Sequence, residues 1–394
     1  MTFARIRAPG AWVDNSTVED AEFEQFDDNV SNAVDGDGGG AYAPTARLEF
    51  GGAGVYVETL IAPGLSDIPM RGAFPTQDTG ITKTYLQGVL VGAWCAFPYY
   101  PQWVFLENDV AIHTSDEVTF ETTVPDITPN VLWRDCAASH ATVVAVYDDG
   151  ANYADEASTL SWAACSGALA VGTGDWRAIV WDGSSFLTGS AAGGFAYSLN
   201  GQVFTAAAGP TNWVAGPNTP AQIAAGKGPG GSADRSIAVA DSGNAQYFAY
   251  TDDNGLSWQE IDVGVAKTWN GIAYRASDHT WIANAQDGTV YASTDGGVNW
   301  SLTVDLGSSG WVLSSKLWVV NEHFVTRGGG FGFRVIYSHD AANWFQGTDM
   351  SQGGGYLPSG IIPGNAGIAW AREDLNETFQ VRFSQKSSIE RMAI

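Results

Sequence analysis

Basic residues are scarce in this chain: 18 Lys and Arg stand against 43 Asp and Glu, a formal net charge of −25 over 394 residues. A field of that sign repels phosphate, which argues against nucleic acid as a partner. The acidic residues are spread along the chain, a pattern that serves solubility. Cysteine is nearly absent. Cys95, Cys136 and Cys165 are too few for a disulfide framework, and the odd count leaves buried thiols as the default. Long hydrophobic runs are also missing: no stretch of about 18 apolar residues could cross a bilayer, so no membrane insertion is expected. The opening MTFARIRAPGAWVDNS carries no apolar core of signal-peptide length. On this reading the protein is made in a cytoplasm and leaves it by lysis or within an assembly. P-loop, GxSxG and HExxH motifs are lacking, and His113, His140, His279, His323 and His339 show no metal-ligand spacing. The sequence calls for no metal, no cofactor and no catalytic residue.

What is plentiful is glycine and aromatic side chains: 48 Gly, with Phe, Trp and Tyr at 12%. Turns and β-propensity follow. One turn recurs. YASTDGGVNW at 291–300 places Ser293, Asp295, Gly297 and Trp300 at offsets shared by Thr251, Asp253, Gly255 and Trp258 in YTDDNGLSW. YSHDAANW repeats the pattern one residue shorter, with Ser338, Asp340 and Trp344. HTSDEVTF at 113–120, ADEASTLSW at 154–162 and YSLNGQVF at 197–204 are eroded copies, and RFSQKSS near 384 is a remnant. The spacing is about 42–53 residues, with one interval twice as long, the period of stacked or radial supersecondary units. NGIAYRAS, TWIANAQ, TVYASTD and NWSLTVD then read as four short strands within one such unit, and residues 315–349 repeat the order. The fold class is all-β: a six- or seven-bladed β-propeller, seven favoured, behind a small N-terminal module.

These turns resemble the Asp box, or BNR repeat, of sialidase-like propellers, over roughly residues 88–394. The resemblance implies that each turn joins the third and fourth strands of a blade. The residues fit a fastener: a carboxylate that accepts backbone N–H bonds, a glycine that turns, a tryptophan that wedges against a neighbouring blade. Ligand binding in such families falls on the opposite face, built from 2–3 loops and 4–1 connections. Three segments there supply candidates: 207–235 with Trp213, Asn218 and Lys227, 326–334 with Arg327, and 347–360 with Asp349 and Tyr356. Exposed aromatics beside amides and charges suit sugar rings. A sialidase would also need an arginine triad and a Phe/Tyr-Arg-Ile-Pro motif. FARIRAP at 3–9 is not that motif, and the sequence places no three arginines together on one rim.

Residues 1–87 read as an attachment module: a helix over about 17–35, a Gly-rich linker and a strand over about 46–61. DNVSNAVDGDGGGAYAP followed by FGGAGVYV resembles the N-terminal module of phage and phage-derived particle proteins. That resemblance implies a virion protein, a tail, baseplate or neck appendage present in many copies. It would dock to other virion proteins through residues 1–87 and present the propeller as a docking or host-receptor, glycan-binding head. A sialidase-like glycan-processing enzyme and a stand-alone lectin are the alternatives. Ring closure is expected through a C-terminal strand near 378–385 completing a blade begun near 88–96.

Overall fold

The computed structural model describes residues 46–50, 55–59, 83–86, 94–96, 103–107, 110–114, 121–123, 133–155, 161–170, 174–215, 219–231, 233–241, 245–313, 316–320, 322–328, 334–349, 358–364, 367–373 and 378–383. Side chains before Trp133, other than Val104, Leu106 and Ala111, and those after Phe345 are outside the description, as is that of Arg334. Two compact units emerge: Met1–Pro75 with Lys386–Ile394, and Thr76–Gln385.

In the first unit, Ala46–Phe50 and Val55–Thr59 form an antiparallel hairpin, Ala46 opposite Thr59. The single strand expected over 46–61 is therefore two. Between the two strands the sequence reads GGAG, and glycine weakens an extended run. The helix expected over 17–35 lies outside the described residues.

The second unit holds seven sheets among the described residues, each built on four antiparallel strands, in chain order in the first six. Their first strands are Trp94–Ala96, Trp133–Ala138, Trp176–Trp181, Pro220–Lys227, Trp269–Arg275, Trp318–Val320 and Pro358–Gly364. Each of these packs against the first strand of the next sheet, and the seventh against the first, so they encircle an axis as in a β-propeller. Burial follows from that layout. Second strands such as Thr142–Tyr147 and Thr280–Ala285 are covered on both faces and carry unbroken buried runs. Outer strands such as Ser301–Asp305 are largely solvent-facing. A parallel strand, Ser166–Gly167, pairs with Val203 and Phe204 and adds a fifth strand at the edge of the third sheet.

Closure differs from the expected scheme. Thr378–Phe383 is the third strand of the seventh sheet, and Lys83–Leu86 pairs with it as the fourth. Residues near the N-terminus thus complete the C-terminal sheet, and the boundary expected at 87 falls inside propeller sequence.

The recurrent corners join third and fourth strands at equivalent places in the third to sixth sheets. At Asp295, Oδ1 accepts from Ser293 Oγ (2.7 Å), Val298 N (3.1 Å) and Asn299 N (3.0 Å), while Oδ2 accepts from Asn299 Nδ2 (2.7 Å). Asp253 and Asp340 repeat the scheme, and in the third sheet the amide oxygen of Asn200 replaces the carboxylate. Each corner rests on the preceding sheet. A Cβ on Gly201, Gly255 or Gly297 would fall 2.8, 2.5 or 2.5 Å from Val144, Leu187 or Ile237, all on second strands. Trp258 stacks on Phe195 at 4.0 Å and Trp300 meets Phe248 edge-on at 5.0 Å, again on the preceding sheet. Burying such rings contributes on the order of 2–3 kcal/mol each.

Candidate functional site: the mouth of the central channel

Antiparallel alternation puts the 1–2 turns and the corners on one face, and the starts of the first strands on the other. On that second face a further regularity appears. In five sheets the second residue of the first strand is bulged out of register: Arg134, Arg177, Ala221, Asn270 and Ser359. A β-bulge re-aims the extra residue away from the ladder. Two arginines, Arg134 and Arg177, are placed in this way on neighbouring first strands.

Arg134 makes a bidentate pair with Asp148, on the 2–3 turn of its own sheet, with Nη2 to Oδ2 at 2.8 Å. Arg177 pairs with Asp175. The Arg134 guanidinium holds the Asp148 carboxyl below the usual range against the effect of burial, and the charge of Arg177 and a hydrogen bond with Asp175 act in the same sense. Desolvation raises the carboxyl of Asp241, with Arg177 opposing.

One residue deeper the channel has a floor. Asp135 is 5% exposed; its Oδ2 accepts from Ile179 N at 2.9 Å and its Oδ1 pairs with Lys316 Nζ. Lys316 comes from the sixth sheet, where more residues separate Leu313 from Trp318 than separate their partners Gly328 and Val325, so the bulge is enlarged. The amide of Gln222 clasps the same excursion, with Nε2 to Leu317 O at 2.8 Å and Leu317 N to Oε1 at 2.9 Å, and Ile272 N also donates to that Oε1 at 3.1 Å. A side chain at Gly271 would meet Leu317 N at 2.4 Å, so only glycine lets the backbone come so close. Three sheets are tied by one buried glutamine.

Of the six residues singled out in the sequence, only some belong to this face. Trp213 lies on a short helix, Thr211–Ala215, and is fully buried with its ring 5.7 Å from Phe195; it is a core residue, not an exposed platform. Lys227 ends a first strand and so sits on the corner face, paired with Asp234. The segment 207–235 is not one loop, because Pro220–Lys227 runs through it as a strand. Arg327, near the end of a second strand, lies toward the mouth, and burial lowers its guanidinium from its ordinary value. Asp349 closes a fourth strand, with its side chain outside the description. Asn218 and Tyr356 lie outside the described residues. Arg134, Asp148, Asp175, Gln222 and Lys316 were not singled out. The signal for the mouth was a second repeat, WRDC, WRAI and WNGI at 133, 176 and 269, that marks three of the five bulges.

His140, His279, His323 and His339 all stand at the corner face, in 1–2 turns, at a second-strand start or in a corner. A recess on that face, lined by Asp182, Asp234, Arg235 and Asn254 among others, is occupied by structural bonds. Arg235 is held by Asp252 at 2.7 Å and donates to Gly296 O at 2.9 Å. Among the described residues no cluster of three or more His, Cys, Asp or Glu could hold a metal ion, and no helix is long and apolar enough to cross a membrane.

No protein-family model and no curated protein matches the chain. Solved structures do. YCF48 bound to D1 peptide aligns with TM-score 0.56 at 12% identity, covering 81% of this chain and all of that one. A catalytically inactive virginiamycin B lyase from Staphylococcus aureus with quinupristin gives 0.57 at 7% identity, over 77% of this chain and 99% of the other. The RRP9 WD40 repeats give 0.55 at 10%, over 78% and 98%. At such identities the likeness is one of fold: the chain carries a β-propeller.

Proposed function

We propose that the chain is a docking component of a phage or phage-like particle, in which residues 1–75 with 386–394 join other virion proteins and the propeller meets a host-surface receptor. The observation that carries the docking part is the division of labour between faces. Corner carboxylates are saturated within their own turns, whereas the bulged first strands carry Arg134 and Arg177 at the other face. Two propellers of like fold are described with a bound peptide and a bound quinupristin, which shows what such a scaffold can hold. Copies on a symmetric particle would multiply a weak single-site affinity.

Mass spectrometry of purified particles should find the chain in stoichiometric amount, and removal of residues 1–75 should abolish incorporation. Replacing Arg134 and Asp148 together by alanine keeps the net charge and should weaken capture on host envelopes at least fivefold; unchanged capture would overturn the mouth as the docking face. A second reading, glycoside hydrolysis, has one observation in its favour: two carboxylates, Asp148 and Asp175, stand on the same face, each paired with an arginine. It requires turnover in a fluorogenic glycoside panel that disappears in Asp148→Asn.

A further inference from the structure

Asparagine followed by glycine is the least hindered setting for attack of a backbone nitrogen on the preceding carboxamide, because no Cβ stands beside that nitrogen. The chain carries the pair three times: Asn200–Gly201, Asn254–Gly255 and Asn270–Gly271. What holds each carboxamide differs. Asn200 Oδ1 accepts from Ser198 Oγ at 3.0 Å, Gln202 N at 3.0 Å and Val203 N at 3.2 Å, so the group is pinned into its corner. Asn270 is half-buried at a bulge, and its Nδ2 donates to Leu313 O. Asn254 has neither restraint. Its side chain is exposed and makes no hydrogen bond among the described residues, while its backbone carbonyl accepts from Ser185 Oγ at 3.3 Å. Its φ of 57° is left-handed, where an L-residue carries strain. The attacking nitrogen is guarded alike in the two corners: Gly255 N donates to Thr251 Oγ1 at 3.0 Å, and Gly201 N to Ser198 Oγ at 2.9 Å. The freedom of the carboxamide is what sets Asn254 apart.

We propose that Asn254 is a site of spontaneous backbone modification, and that its deamidation loosens the seam between the third and fourth sheets. Gly255 N bonds to Asn254 Cγ, the bond from Cγ to the amide nitrogen breaks, and that nitrogen leaves as ammonia with the proton Gly255 N gave up. Water then opens the cyclic imide at either carbonyl, leaving aspartate or isoaspartate. No oxidant, reductant or enzyme enters. In isoaspartate the main chain runs through the side-chain methylene and is longer by that carbon. The corner has no room for it: a Cβ on Gly255 would already lie 2.5 Å from Leu187 Cδ2 and 3.0 Å from Tyr197 Cβ, both on the third sheet. The lengthened link also falls inside the span that Asp253 closes, since its Oδ1 accepts from Thr251 Oγ1 at 2.7 Å and from Ser257 N at 2.9 Å. Trp258 follows directly, stacked on Phe195 at 4.0 Å. The change therefore strikes the fastener itself.

The test ages the full chain at neutral pH, in buffer and in urea, and follows all three asparagines by peptide mapping with isoaspartyl methyltransferase labelling. Each rate in the folded chain is divided by the rate of the same asparagine in urea, which removes the influence of sequence neighbours. That ratio should be at least fivefold higher for Asn254 than for Asn200 or Asn270. Thr251→Ala, which frees the Gly255 N–H, should raise the Asn254 rate at least twofold further, whereas Thr251→Ser keeps the hydroxyl and should leave it as in the parent. The aged chain carrying isoaspartate, separated by ion exchange, should melt below Asn254→Asp, which has the same charge on an unaltered backbone. A ratio for Asn254 no higher than the other two, or Thr251→Ala no faster than Thr251→Ser, would overturn the site. Equal melting of the isoaspartate chain and Asn254→Asp would overturn its effect on the seam.

Discussion

The corner glycine is the residue on which each sheet-to-sheet contact turns. Gly297 has φ of 84° and lies under Ile237, so it must be both left-handed and bare. Gly297→Ala should cost about 1–3 kcal/mol in denaturant unfolding, from left-handed strain plus displacement of Ile237. The sixth sheet departs from the pattern: Ala341 takes the same corner at φ 63° with its Cβ already buried. There the inverse change, Ala341→Gly, should stabilise by about 0.5–1 kcal/mol, because relief of strain exceeds the loss of one methyl group. Equal responses at the two positions would mean that the corners are not equivalent.

Among elements, bulges mark one end of the sheets and corners the other. The enlarged bulge of the sixth sheet brings Lys316 to Asp135, which is 5% exposed and belongs to the second sheet. Lys316→Met should cost about 3 kcal/mol, since it strands a buried carboxylate, and Asp135→Asn in the same background should restore part of the loss. The corners carry the pH dependence. Burial alone would raise the carboxyls of Asp253, Asp295 and Asp340, but hydrogen bonds from their own turns outweigh it and hold them below the ordinary range. Their folded values lie under the unfolded value of about 4, so the stability they contribute is complete above that pH and fades as pH falls through the depressed values. Asn200 builds the same corner without a charge. A triple Asp253→Asn, Asp295→Asn, Asp340→Asn chain should therefore melt near the parent at pH 7 and lose less on acidification.

For the whole molecule the decisive feature is the pairing of Lys83–Leu86 with Thr378–Phe383, which joins the two ends of the propeller sequence in one sheet. A fragment of residues 76–385 should unfold cooperatively with the melting temperature of the propeller in the full chain. A fragment beginning at residue 88 lacks the fourth strand of the seventh sheet. It should melt lower or associate through the bare edge of Thr378–Phe383, as size-exclusion chromatography would show. Equal melting of the two fragments would remove the closing role of Lys83–Leu86.

Legibility divided along the same lines. The all-β class, the four-strand units and the corners could be read from the chain, because each is set by neighbours within a dozen residues: Ser293, Asp295, Gly297 and Trp300 need only their own turn to find their partners. Trp213 misled because a buried tryptophan and an exposed one look alike in sequence, and only packing against Phe195 distinguishes them. Lys227 misled because a strand, not a loop, carries it to the opposite face. The channel floor and the mouth were beyond local reading. Gln222 and Leu317 are 95 residues apart, and Asp135 and Lys316 belong to different sheets. Such partners are chosen by the circular order of the sheets. Short-range chemistry determined the parts, and the long-range return of the chain onto itself decided which polar groups face the axis.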